Sequence, residues 1–331
     1  MVAVSAIVVV HRFDAVATRR AIESLLASEG IDIEVVVALN GGDEVLGELQ
    51  PLARELRFTL VNCGKNRGFA SAVNRGLLAA TPGGHVFLLN DDAWVEPHAI
   101  ARCVTALEHA SAHCISVAPL VVHADHPDRV DSLAVVLRPN AEAFNAHAGK
   151  LAASLPSASA EVLGPCFAAA LFRPGAFTAD SVGPLDERYF LYYEDVDWAV
   201  RARHRGFTSV SAPNALVHHQ HALSTRRLGE SRRYGIVQRN LLVFATINLS
   251  WRAVWQVWVG RWVAHAKGVL KGPYRAARVR ALGAAVVRLP MAIASRRRAR
   301  GPNPAPDSVL FQFSQGMEPG IDASTYSPIP T

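Results

Sequence analysis

The chain is poor in cysteine, with four among 331 residues. Cys63, Cys103, Cys114 and Cys166 show neither a C-x-x-C pair nor the dense spacing of a secreted disulfide framework, so they read as cytosolic core thiols. Long apolar runs are missing too. No window holds eighteen uninterrupted apolar residues, which excludes an ordinary membrane-spanning helix. The opening stretch, Met1 to Val10, has no basic flank before it and runs straight into His11-Arg12, so it is too short for a signal peptide. Acidic residues are absent from 231–306, where fifteen Lys and Arg stand without one Asp or Glu. The net charge is +6, so the remainder of the chain carries −9. An acidic body joined to a basic C-terminal region suggests a cation site in one part and an anionic surface as the partner of the other.

What is present is a large apolar fraction, 50%, enough for a sizeable core. Val2 to Val10 is a β-branched run suited to a strand buried on both faces, and Ala15 to Leu26 follows with helical spacing. The alternation continues with a strand at Ile33–Leu39, a helix at Val45–Leu56, a strand at Phe58–Val61, a helix at Ala70–Ala80 and a strand at Val86–Leu89. This pattern predicts a doubly wound α/β sheet, in which ligands bind beyond the carboxyl ends of the strands. Leu163–Phe172 reads as a further strand and Glu194–His204 as a helix. Arg232–His265 reads as one long Trp-rich helix, and Gly272-Pro273 separates it from a second basic helix over Tyr274–Arg300.

The polar segments after the strands are His11-Arg12, Asn40 to Asp43, Asn62 to Gly68, and Asn90-Asp91-Asp92. Paired carboxylates at a strand end suit a hard divalent cation held together with diphosphate oxygens; they also suit a cap on the following helix. Glu194-Asp195-Val196-Asp197-Trp198 puts three acids at a helix start, where either the helix dipole or the need for a base explains them. Val217-His218-His219 ends a short apolar run.

Together these segments resemble family 2 glycosyltransferases of the GT-A fold, and in particular actinobacterial rhamnosyl- and galactofuranosyltransferases, over roughly residues 3–240. Asn66-Arg67-Gly68-Phe69-Ala70-Ser71-Ala72-Val73-Asn74-Arg75-Gly76 matches that family's nucleotide-holding N-x-G segment. Gly183 to Phe190, running into Glu194-Asp195-Val196-Asp197-Trp198 and Arg201, matches its G-x-(F/L)-D-E-x-(F/Y)-F…E-D-x-D-(W/L)…R segment. The resemblance implies that Asp195 is the catalytic base. It implies Asp92 and His219, with His218 as the alternative, as ligands of Mg²⁺ or Mn²⁺. Val10, Arg12, Asn40, Asn66, Gly68, Asn74 and Asp91 then belong to the nucleotide-sugar site, and Glu194, Asp197 and Trp198 to the acceptor site. Arg12 stands where Asn is common, and Leu39 where the family has an Asp for the pyrimidine.

The expected fold is therefore a Rossmann-like, doubly wound mixed sheet of GT-A type with a helical, basic, membrane-interfacial extension. The expected division is a catalytic domain over 1–230 (nucleotide-binding half 1–95, acceptor half 96–230), a Trp-rich basic region over 231–300, and a disordered tail over 301–331. The implied activity is inverting transfer of a sugar from dTDP-rhamnose or a UDP-sugar to a glycan or polyprenyl-linked acceptor in cell-envelope polysaccharide synthesis. The partners expected are that donor, that acceptor and an anionic membrane at the cytoplasmic face, with no nucleic acid. Four of the six tryptophans lie between Trp251 and Trp262 among arginines, as in an interfacial helix, or else in one packed on the domain. Two rival classes are a non-catalytic anion-binding adaptor and a nucleotidyltransferase. The adaptor has no need of Asp92, Asp195 and His219 together, and the nucleotidyltransferase needs a Gly-rich loop that His11-Arg12-Phe13-Asp14 does not supply.

Overall fold

A computed structural model describes residues 1–220 and 229–317. The first half alternates as the apolar periodicity requires: β1 (Val2–Val10), α1 (Ala15–Leu26), β2 (Ile31–Leu39), α2 (Asp43–Leu56), β3 (Thr59–Asn62), α3 (Phe69–Ala79) and β4 (His85–Asn90). β5 (Ala93–Val95), α4 (Ala99–His109) and β6 (Cys114–His123) follow, then the short strands β7 (Val130–Ser132), β8 (Val135–Leu137), β9 (Ala143–Asn145) and β10 (Glu161–Val162). β11 (Ala169–Phe172), α5 (Glu194–His204) and β12 (Thr208–His219) complete the sheet-bearing part. One mixed sheet runs in the order β10-β12-β6-β11-β4-β1-β2-β3. β1, β2, β3 and β4 are parallel to their neighbours in that group, whereas β11 is antiparallel to both β4 and β6. This is an α/β sheet of GT-A type. The run expected as one strand over Leu163–Phe172 pairs only at Ala169–Phe172, because Leu163 and Gly164 instead turn back against β8 and α5.

The sheet is covered on both faces, which is why β1 reads as continuously apolar: Val4, Ala6, Val8 and Val10 join one core cluster and Ile7 and Val9 the other. Asp14 caps α1 by accepting from the amides of Val16 and Ala17 at 3.1 and 2.9 Å.

The C-terminal part contains α6 (Glu230–Asn248), α7 (Trp251–Lys271), α8 (Arg275–Arg300) and α9 (Asp307–Phe311). The single helix expected over Arg232–His265 breaks at Leu249-Ser250. Ser250 caps α7 through its hydroxyl, and its own amide donates to Asp307 at 3.0 Å. α6 is no appendage: Leu241, Leu242 and Phe244 are buried in the same cluster as Val135, Val136 and Leu137 of β8. The segment expected to be disordered from residue 301 begins with ordered chain, since Leu310 and Phe313 close that cluster from α9 and the turn after it. Residues 318–331 of that expected tail lie outside the described residues. No helix of the described residues is long and apolar enough to cross a membrane.

Candidate active site

A cavity of about 340 Å³ opens at the carboxyl end of the sheet, lined by the ends of β1, β4 and β12, the start of α5 and Arg232 of α6. At its centre is His219, the last residue of β12. Its Nε2 lies 3.1 Å from Asp92 Oδ1 and its Nδ1 lies 2.7 Å from Asp131 Oδ2, with all three side chains buried. Burial opposes a charged imidazole, but Asp92 and Asp131 outweigh it and push its pKa up to about 10. Asp91 titrates well above an ordinary carboxyl, first because it is shut away from water and second because Asp92 is beside it.

His218 points the other way, as period-two alternation along a strand demands. Its Nε2 meets Glu96 at 2.8 Å and its ring stacks on Trp94. Of the two histidines, His219 alone faces Asp92.

The donors fit a divalent cation. A carboxylate and an imidazole nitrogen face each other at a strand end, and Mg²⁺ and Mn²⁺ sites commonly take only one or two protein ligands, leaving the rest to phosphate and water. No group of three His, Cys, Asp or Glu side chains able to hold a metal occurs among the described residues, so phosphate oxygens would have to complete the shell.

The Glu194-Asp195 pair lines the same cavity. The turn leading into α5 passes through left-handed backbone at Phe190, Tyr192 and Tyr193, a strained path for non-glycine residues. It is held from α6, where the Asn240 carboxamide donates to the carbonyls of Tyr189, Leu191 and Tyr192 at 2.8–3.0 Å. Asp195 accepts from the Val196 amide at 2.8 Å, and burial pushes its pKa up to about 6. Glu194 is more deeply buried; enclosure first and the neighbouring Asp195 second push it up to about 8, and its Oε2 has no hydrogen-bond partner.

The N-x-G segment forms the third wall. Asn66 Oδ1 accepts from the Gly68 amide at 2.9 Å and from Asn40 Nδ2 at 3.3 Å, while Asn40 Oδ1 accepts from the Arg67 amide. Gly68 has φ +91, and a Cβ there would lie 2.4 Å from the Phe190 carbonyl, so only glycine lets this loop touch the turn before Asp195. Arg12 lines the same end of the cavity.

Four expected site residues do not reach the cavity. Val10 is buried within the sheet, and Val9 lines the cavity in its place. Asn74 bonds both the amide and the carbonyl of Leu185 at 3.0 Å, fixing the loop that precedes α5. Asp197, rotated away from Asp195 by the helical period, accepts from Arg201, Tyr189 and Asn248. Trp198 donates to the Gly183 carbonyl and packs among Phe167, Phe172 and Phe177. Asn74, Asp197 and Trp198 thus brace α5 and the loop before it. Sequence reasoning in turn missed Asp131, Arg232 and Asn240. A single Asp inside the apolar run Val130 to Leu137 was the available signal for the first.

Comparison with known proteins follows the same geography. Residues 5–144 match the model described as glycosyl transferase family 2. A succinoglycan biosynthesis protein, ExoO, of Rhizobium meliloti (strain 1021) is 34% identical over 93 residues, covering 28% of this chain and 26% of that protein. An N-acetylglucosaminyl-diphospho-decaprenol L-rhamnosyltransferase of Mycobacterium tuberculosis (strain CDC 1551 / Oshkosh) is 49% identical over 57 residues, 17% of this chain and 18% of that protein. The chain therefore matches well under a third of the length of either relative. Among solved structures, GalNAc-T7 with UDP, GalNAc and Mn²⁺ superposes with a TM-score of 0.62 at 13% identity, covering 99% of this chain and 59% of that one.

Proposed function

We propose that this chain, whose residues 5–144 match the family 2 glycosyl transferase model and whose fold is of the GT-A type, is an inverting, metal-dependent enzyme acting on a nucleotide diphosphate sugar. The observation that carries this reading is that Asp195 and the Asp92–His219 pair line one cavity. Asp92 and His219 would hold Mg²⁺ or Mn²⁺, which would supply charge neutralisation to a diphosphate leaving group. Asp195 accepts the proton of an acceptor hydroxyl; its carboxylate form is available above about pH 6. Attack from the face opposite the diphosphate inverts the anomeric carbon. Glu194, held neutral by its surroundings, donates a hydrogen bond to the acceptor. Asn40, Asn66, Gly68, Asp91 and Arg12 hold the nucleotide, and Arg232 brings a further cation to the diphosphate from α6.

The donor we propose is dTDP-rhamnose or a UDP-sugar and the acceptor a glycan or polyprenyl-linked sugar of the cell envelope, supported by the 49% identity over 57 residues with the N-acetylglucosaminyl-diphospho-decaprenol L-rhamnosyltransferase. In this reading the catalytic unit runs from residue 1 through α6, and α7 and α8 form a basic, interfacial extension that keeps the enzyme on the cytoplasmic face of the membrane. Exposed Trp251, Trp255 and Trp262 on α7, interspersed with Arg252 and Lys267, support that placement. A screen of dTDP- and UDP-sugars for hydrolysis and transfer, with Mg²⁺ or Mn²⁺ and with or without membrane extract, tests the proposal. Metal-independent turnover, or none with any donor, refutes it.

A further inference from the structure

We propose that Asp131 is the positioning residue for cation binding: it fixes the ring orientation and the tautomer in which His219 offers Nε2 toward Asp92. The inference rests on the reading of Asp92 and His219 as cation ligands.

A neutral imidazole carries one N–H, and only the other nitrogen can bind a metal; which one is free is set by the hydrogen bond the first makes. A carboxylate can only accept. With Asp131 Oδ2 2.7 Å from Nδ1, the Nδ1 proton is the one held in place, so Nε2, the atom 3.1 Å from Asp92, is the nitrogen that gives up its proton when a cation takes the site. Asp131 is 1% exposed, so the bond is made by a buried carboxylate at the cavity wall.

The backbone is shaped to deliver this side chain. β7 pairs antiparallel with β6 through Val121 opposite Ser132 and Val122 opposite Val130, so the register skips Asp131. An extra residue at such an irregularity leaves the ladder and has its side chain re-aimed, a device frequent beside active sites. β6 in turn carries β12, pairing His123 with His219. The carboxylate and the imidazole are thus fixed by strands on either side of β6. Asp131 Oδ1 lies 3.5 Å from Asn145 Nδ2, while its other oxygen makes the shorter contact to His219 and so ties the acid to the site.

The experiment measures Mn²⁺ binding to the full chain in the presence of UDP or dTDP, by calorimetry and by electron paramagnetic resonance, independently of turnover. Asp131→Ala should lose roughly 10–100-fold in Mn²⁺ affinity, the range seen when the outer partner of a ligating histidine is removed. Asp131→Asn keeps an oxygen that can accept from Nδ1–H and should recover part of that loss. Wild-type Mn²⁺ affinity in a folded Asp131→Ala chain overturns the proposal. Should that variant fail to fold, wild-type affinity in Asp131→Asn overturns it equally. A wild-type chain that binds no Mn²⁺ with either nucleotide refutes the cation site itself, a result distinct from a failure of Asp131 alone.

Discussion

At the carboxyl end of the sheet the molecule buries acids: Asp92, Asp131 and Glu194 are all enclosed around one cavity. Along α7 and α8 it does the reverse and exposes apolar bulk. Ten of the fifteen large apolar side chains exposed among the described residues lie between Trp251 and Ile293, while the same helices bury alanines and small faces. Buried like charges raise one another's pKa and cost stability, and exposed tryptophans forgo the gain of burial. Both regions thus depart from what folding alone favours, in opposite directions. The first departure suits a cation and a proton acceptor, the second a surface that takes up apolar and basic groups together.

The sharpest way to break this comparison is to separate its halves. A chain ending at Glu230 loses Leu242 and Phe244, both fully buried, and is expected not to fold; circular dichroism and thermal melting check this. A cooperative melt from that fragment would show that the two regions are independent after all. The milder Phe244→Ala should cost about 3–5 kcal/mol.

Next in size is Asp195→Asn, which removes a base and keeps the shape. Transfer should fall roughly 10²–10⁴-fold while donor binding, measured by calorimetry, stays near wild type. Retention of a tenth of the turnover removes Asp195 from that role. Arg232→Ala crosses the boundary between the regions: nucleoside diphosphate affinity should drop about tenfold, equivalent to about 1.4 kcal/mol, with the monophosphate scarcely affected. Equal losses for both nucleotides would place Arg232 away from the diphosphate.

The exposed helices are probed with their fold intact by Trp255→Ser with Trp262→Ser. Flotation with anionic vesicles should weaken several-fold, and high salt should release more, since each cation near such a surface contributes about 1 kcal/mol. Equal flotation with neutral vesicles counts against an anionic partner.

The smallest effect is on pH profiles. Asp195, raised by burial to about 6, should give a rate that climbs to a plateau above that pH. Stability should move the opposite way. A carboxyl whose folded pKa is raised contributes stability below its unfolded value, and that stability is lost as pH climbs through the folded value. For Glu194 the window runs from 4.5 to about 8, and Glu194→Gln should flatten the melting temperature across it. An unchanged slope would mean that Glu194 is ionised in the folded chain.

How much of this was legible beforehand depends on whether a residue's role is local. The alternation from Val2 to Asn90 was readable because a strand buried on both faces must be apolar throughout, and the Asp91-Asp92 pair was readable because strand ends point to the crevice. Asp197 and Trp198 were assigned to the acceptor since they share a motif with Asp195; one helical turn carries them into the core, where Arg201 and Gly183 hold them. Asp131 and Asn240 escaped because each acts on a partner far along the chain, and no periodicity records a bond between residues 88 or 51 positions apart. The break at Ser250 was hidden for the same reason: part of its cap comes from Asp307.

The docking of Leu310 and Phe313 against the cluster that contains Val135 and Tyr193 also bears on the order of events at the ribosome. Val135 and Tyr193 line the cavity, yet their packing is finished by side chains translated long after them. A nascent chain that has not yet presented Leu310 and Phe313 therefore has an open flank behind Val135 and Tyr193, and that side of the cavity is completed only once they dock.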